Sequence, residues 1–222
     1  MSKIMLLLSG RLIVVLGFIC YLGRLILLWI KYKNQKQVFW LKEVIVFLFV
    51  IYICMVVSVT LFPIPIGFHS NTENIYRSIN VMPLVSIIKS ISQIGIAYGG
   101  DAQFMIGLIV RNVGGNILLL MPLSFLAPLI WNKFKRFKNI MLLGFVISVS
   151  IELLQLVETM LSGGWGRITD INDVICNVLG VTVGYLIYKF TFKLIDHFQI
   201  KILQKLNSGR SELFDKNNEV EI

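Results

Sequence analysis

Long apolar blocks are the strongest constraint on what this chain can become. Residues 4–30, 44–62, 104–131, 140–161 and 174–190 are almost wholly apolar. Several reach the roughly 20 residues that a helix needs to cross a hydrocarbon layer of about 30 Å. A bilayer core offers no water to backbone groups, so each such block has to satisfy them within itself, as a helix. The expected fold class is an all-α membrane protein, a bundle of about five transmembrane helices. Only 15% of the 222 residues are charged, against about a quarter in soluble domains. The first block starts behind Lys3 like a signal peptide. It is too long for one and lacks a small-residue cleavage pattern, so it reads as an uncleaved helix. Arg11 and Arg24, near its ends, are expected to snorkel toward the two surfaces.

The net charge of +9 is a matter of sidedness. Lys31, Lys33, Lys36 and Lys42 lie between blocks one and two, and Lys133, Lys135, Arg136 and Lys138 between blocks three and four. Lys189, Lys193, Lys201, Lys205, Arg210 and Lys216 follow in the tail, whereas the other two loops carry only Arg77, Lys89 and Arg167. Basic loops stay in the cytoplasm. An alternating five-span, multi-pass protein of the cell membrane then has its N-terminus outside and its C-terminus in the cytoplasm. No basic face interleaved with aromatics exists outside the apolar blocks, which argues against a nucleic-acid partner.

The segments between blocks have their own signals. Pro63 and Pro65 stop the second span. Leu84, Ile87, Ile88 and Ile91 recur at helical spacing beside Lys89, Ser90 and Gln93, which predicts an amphipathic helix on the outer surface. Pro122 and Pro128 are expected to kink the third span. From Phe190 to Leu206 an apolar face of Ile195, Phe198, Ile202 and Leu206 opposes Lys189, Lys193, Lys201 and Lys205, predicting a cytoplasmic amphipathic helix on anionic membrane lipids. A disordered end follows. The organisation is thus an N-terminal two-helix segment (1–62), a three-helix domain (63–190) and a cytoplasmic tail (191–222). Cys20, Cys54 and Cys176 read as small buried hydrophobes. His69 and His197 are expected on opposite sides, so no metal cluster can be assembled and no cofactor is called for.

The polar exceptions inside the blocks carry the functional argument, because ionisable groups at bilayer depth usually face a bundle interior or wet cavity. In the predicted topology Asn112 and Asn116 share a face of block three, and Glu152 and Gln155 are neighbours on block four, with Glu158 pointing partly elsewhere. Asp170, Asp173 and Asn177 line one face at the start of block five, behind Arg167. All fall at one outer depth, and Glu152 needs a partner, for which Arg111 and Arg167 are the nearest cations. Plainer roles stand beside this pocket. Asp170 fits a helix N-cap and Asp173 a first-turn acid. Gly180 and Gly184 fit GxxxG packing, and the asparagines fit interhelical pins. No Ser-His-Asp set, Cys-His pair, phosphate loop or HExxH motif is present, so enzymatic activity has no specific signature.

Four segments bring a family into view: N-x-M-P at Asn80, GNILLLMPLSF from Gly115, SIELLQL from Ser150 and GRITDINDVICNVLGVTVGY from Gly166. Together they resemble the VanZ-like family of bacterial membrane proteins, whose namesake is associated with low-level teicoplanin resistance. The resemblance spans about Leu61 to Tyr188, and the run from Arg167 to Gly180 is its most specific part. It implies functional roles for Asn80, Asn116, Glu152, Gln155, Arg167, Asp170, Asp173 and Asn177. Met121 stands where the family tends to have Phe, Ser124 where it tends to have Gly, and Asn172 where a third acid is common. The last departure weakens any multi-carboxylate metal site. The expected function is binding or modifying an envelope component, such as a cell-wall precursor, with glycopeptide resistance as the outcome. The alternative is a membrane enzyme acting on a lipid-linked or peptidoglycan precursor with Glu152 as acid or base. A transporter is a third reading: five spans without internal repeats argue against an alternating-access monomer and leave a homo-oligomer open. A cysteine placed at Arg167 should react with an impermeant thiol reagent added outside intact cells; labelling only from the cytosol would overturn the topology.

Overall fold

The computed structural model describes residues 6–8, 10–33, 39–62, 64–66, 79–162 and 168–198. Arg167, His69 and the chain beyond residue 198, including most of the expected cytoplasmic amphipathic helix, lie outside the described residues. Helices are α1 (Arg11–Lys33), α2 (Trp40–Leu61), α3 (Val85–Ser92), α4 (Ala102–Ile109), α5 (Gly115–Ile130), α6 (Phe137–Leu161) and α7 (Ile171–His197). Among the described residues five helical segments are long and apolar enough to cross a membrane, with α4 and α5 forming one of them. The protein is an all-α membrane bundle.

The span boundaries follow local chemistry. α2 ends at Leu61, where Phe62 turns extended ahead of Pro63. α7 begins under an aspartate cap at Asp170 and runs unbroken to His197, longer at both ends than its apolar block. The first helix begins at Arg11, not near Ile4 as the composition led one to expect. Leu6–Leu8 (β1) instead pairs antiparallel with Ile64–Ile66 (β2), Leu7 opposite Pro65. A short apolar run does not distinguish helix from strand by pattern alone; the available partner decides. The third span also differs from expectation. Pro122 and Pro128 sit inside α5, but the change of helix type lies earlier, in a π turn over Val110–Gly114. The predicted surface helix is present as α3, with Leu84, Val85, Ile88 and Ile91 exposed, the apolar face an interfacial helix presents to lipid.

α7 packs along α5, α6 along α7, and α2 against α5 and α6, while α1 joins the bundle through α2. Glycines set the closest approaches. A Cβ at Gly180 would run into the Ile117 carbonyl, and one at Gly184 into the Met121 carbonyl and Ser124 Oγ. Close backbone contact of this kind drives helix association in lipid, where no hydrophobic effect separates helix from solvent. Leu120, Leu123, Ala127, Ile140 and Val181 are almost completely buried around the seam. Tyrosine hydroxyls tie the rest: Tyr52 donates to the Leu119 carbonyl at 2.8 Å and Tyr185 to the Lys135 carbonyl at 2.8 Å. Partial burial, and secondarily the charge of Lys42, pushes the Lys135 ammonium below the ordinary lysine range.

Arg24 is exposed and also paired: its guanidinium meets Glu43 Oε2 at 2.8 Å, and Tyr21 donates to the Glu43 carbonyl at 2.8 Å. The carboxylate on the neighbouring helix gives the cation a partner that the sequence did not reveal.

The α5–α7 seam predicts an asymmetric glycine scan. Gly180→Val should destabilise the protein by about 1–3 kcal/mol through overpacking, read as a lower unfolding temperature in detergent. Gly23→Ala, whose Cβ would meet nothing, should be neutral or mildly stabilising.

Candidate functional site

The site is built outward from one face of α6. Ser148, Glu152, Gln155, Thr159 and Ser162 recur at steps of four and three and are all buried, the stripe that helical periodicity produces. Glu158 is also buried, at 8% exposure, but six residues from Glu152 it lies about 120° round the helix, the partly different direction expected of it. Glu152 retains 5% exposure. A carboxylate so placed needs donors, and the backbone supplies one: the Asp170 N–H donates to Glu152 Oε2 at 3.0 Å.

Asp170 is available there because the chain before α7 is extended. Thr169–Asp170 (β4) pairs in parallel with Ile79–Asn80 (β3), Asn80 opposite Asp170. Asp170 is the N-cap of α7, its Oδ1 accepting the Asn172 N–H at 2.9 Å, so the capping reading is correct. It does more: Oδ2 accepts from Ser86 Oγ at 3.2 Å. Two carboxylates therefore gather at the N-terminus of α7, where the helix macrodipole favours negative charge.

Asn172 closes the junction. Its Oδ1 accepts the Leu84 N–H at 2.6 Å, and its Nδ2 donates to Ser86 Oγ and Asp170 Oδ1, both at 2.8 Å. Leu84 sits at φ 64°, a left-handed conformation costly for a side-chain-bearing residue. Asn80 Oδ1 accepts the Met82 N–H at 3.3 Å and folds the N-x-M-P segment back on itself. Deeper in the bundle, Asn177 Nδ2 donates to Ser148 Oγ at 3.0 Å. Nearer the chain end of α6, Gln155 Nε2 donates to the Thr60 carbonyl at 2.9 Å. Asn177 Oδ1 and Thr169 Oγ1 are buried and have no hydrogen-bond partner among the described residues.

Of the sequence-selected residues, the structure thus unites Asn80, Glu152 and Asp170, with Gln155 and Asn177 on adjoining layers and Asp173 half-buried in the first turn of α7. It does not bring in Arg111 and Asn112, which are exposed, and Asn116 is half-buried. Arg111 and Asn112 both lie in the π turn over Val110–Gly114, whose wider winding shifts the phase of the helix surface ahead of Asn116. Sequence reasoning missed Ser86, Ser148 and Thr60, and it named Glu158 and Asn172 without placing them in the site. Ser148, Thr159 and Ser162 were readable as helical repeats of Glu152 once hydroxyls were counted. Ser86 carried no local signal, because its role depends on the loop path. The gathered groups are rich in acceptors, suited to hydrogen-bond donors or cationic groups.

The model of the VanZ/LLP1 family matches residues 49–193 of this chain, which runs from within α2 through most of α7. No curated protein and no solved structure matches it.

The junction predicts a local effect of Asn172→Leu. Losing the acceptor for Leu84 and both donors should cost about 2–3 kcal/mol of local stability. Hydrogen exchange should show the Leu84 amide deprotected while the amides of α5 remain protected; unchanged Leu84 protection would refute the bridging role.

Proposed function

The chain belongs to the VanZ/LLP1 family, and we propose that it is a cell-membrane protein whose polar junction faces outward and binds a component of the envelope. The supporting observation is convergence: groups on Leu84, Ser86, Glu152, Asp170 and Asn172, up to 88 residues apart, meet at one end of a lipid-embedded bundle. The opposite end carries Lys133, Lys135 and Arg136, and basic residues favour the cytoplasmic side. Buried carboxylates and the unspent oxygens of Asn177 and Thr169 select a ligand with hydrogen-bond donors or positive charge, features found in peptide and amino-sugar parts of cell-wall precursors. Occupying such a component would reduce glycopeptide access to it. Binding is preferred over catalysis because Glu152 Oε2 and both Asp170 oxygens are engaged in holding the junction together.

Expression in a susceptible Gram-positive host should raise the teicoplanin concentration needed for inhibition severalfold. Asp173→Ala and Glu152→Gln, each verified for membrane insertion, should abolish the rise. An inserted wild-type protein that leaves susceptibility unchanged would sink the proposal. A change in muropeptides or lipid precursors that Glu152→Gln abolishes would replace binding with catalysis.

A further inference from the structure

The guanidinium of Arg111 is a second polar feature that the junction does not use. Arg111 lies in the π turn, nine residues after the start of the Ala102–Ile130 span. At 1.5 Å per residue its Cα is about 7.5 Å from the level of Asn116, the middle residue of that span. It is exposed, and so are its neighbours Val110, Ile106 and Leu118, at 63%, 47% and 59%. That flank is apolar and turned to lipid. Arg111 makes no hydrogen bond or ion pair with the described residues. A cation in such a place is costly without an anion, and arginine side chains near a span's end reach for the interface. Long helical side chains lean toward the helix N-terminus, which here is the end bearing the junction.

We propose that Arg111, with the adjacent Asn112 amide, binds the phosphate of a lipid in the leaflet on the junction side. Three observations support that occupant. First, the space is there: a Cβ added at Gly107 or Gly115 would meet nothing within 4 Å, so the surface one turn to either side of Arg111 is bare. Second, a planar guanidinium matches phosphate oxygens in a bidentate fork, and a neighbouring amide adds a third donor. Third, among the described residues a second copy of the chain offers no matching exposed acid within that half of the bundle. Among the described residues on that half of the bundle, Glu152 and Glu158 are buried and Asp170 and Asp173 half-buried. Asp101 is exposed but precedes the span, and its carboxylate caps α4 through the Phe104 N–H at 2.9 Å. At this depth the anion that the membrane itself supplies is lipid phosphate. The site stands apart from whatever the junction binds.

The test is native mass spectrometry of the purified full chain with two probes of equal acyl length, phosphatidylglycerol and a phosphate-free glucosyl diacylglycerol. The wild type should retain phosphatidylglycerol about tenfold better than the glycolipid, a difference of about 1.4 kcal/mol. Arg111→Gln should erase the preference and Arg111→Lys should keep part of it. Gly115→Leu, which fills the bare surface and keeps the charge, should also weaken retention, so the test survives if Arg111→Gln fails to fold. Lys89→Gln should behave as wild type. Equal retention by wild type and Arg111→Gln would overturn the assignment. So would displacement of phosphatidylglycerol by millimolar inorganic phosphate, which would identify a free anion as the ligand. A dimer that Arg111→Gln converts to monomer would overturn it in favour of an interface between copies.

Discussion

Glu152 is a carboxylate placed where water does not reach, and the arrangement around it follows from that cost. In a low-dielectric interior an uncompensated charge is worse than any local propensity. Part of the compensation comes from a backbone N–H held in position by a strand pair and from the positive end of α7. Both of these are fixed by main-chain geometry. The two-residue β3–β4 bridge would have little stability alone. Its role is to hold the Asp170 N–H at the point where Glu152 can accept it.

Rigidity of that junction depends on the seam beneath it. Gly180 and Gly184 let α7 settle onto the carbonyls of Ile117 and Met121, which fixes the depth at which Asp170, Asn172 and Asn177 enter. Ser124 is fully buried and donates to the Met121 carbonyl at 3.0 Å. A hydroxyl there is tolerated because Gly184, opposite, contributes no side chain. At Asn172 the choice of an amide has a visible consequence. An amide both accepts from Leu84 and donates to Ser86 and Asp170; an ionised acid would accept only.

The π turn separates two polar neighbourhoods that helical counting placed together. On the inner side, α5 and α7 close over Asn177 and Ser148. On the outer side, Arg111 and Asn112 are exposed. One turn of non-standard helix, Val110–Gly114, thus divides an expected single pocket into a buried junction and an exposed flank.

The sequence determined what depends on single segments. Block length gave the spans, Pro63 the end of α2, Asp170 the cap of α7, and the small residues at 180 and 184 the close seam. Helical periodicity also marked Glu152 and Gln155 as neighbours. Tertiary structure decided everything that needed two segments at known separation. These are the pairing of Leu6–Leu8 with Ile64–Ile66, the Arg24–Glu43 pair, the donors to Glu152, and the roles of Ser86 and Asn172. The physical reason is range. Hydropathy and capping act within a few residues along the chain, whereas a buried polar group is satisfied by whichever donor the folded path brings within about 3 Å.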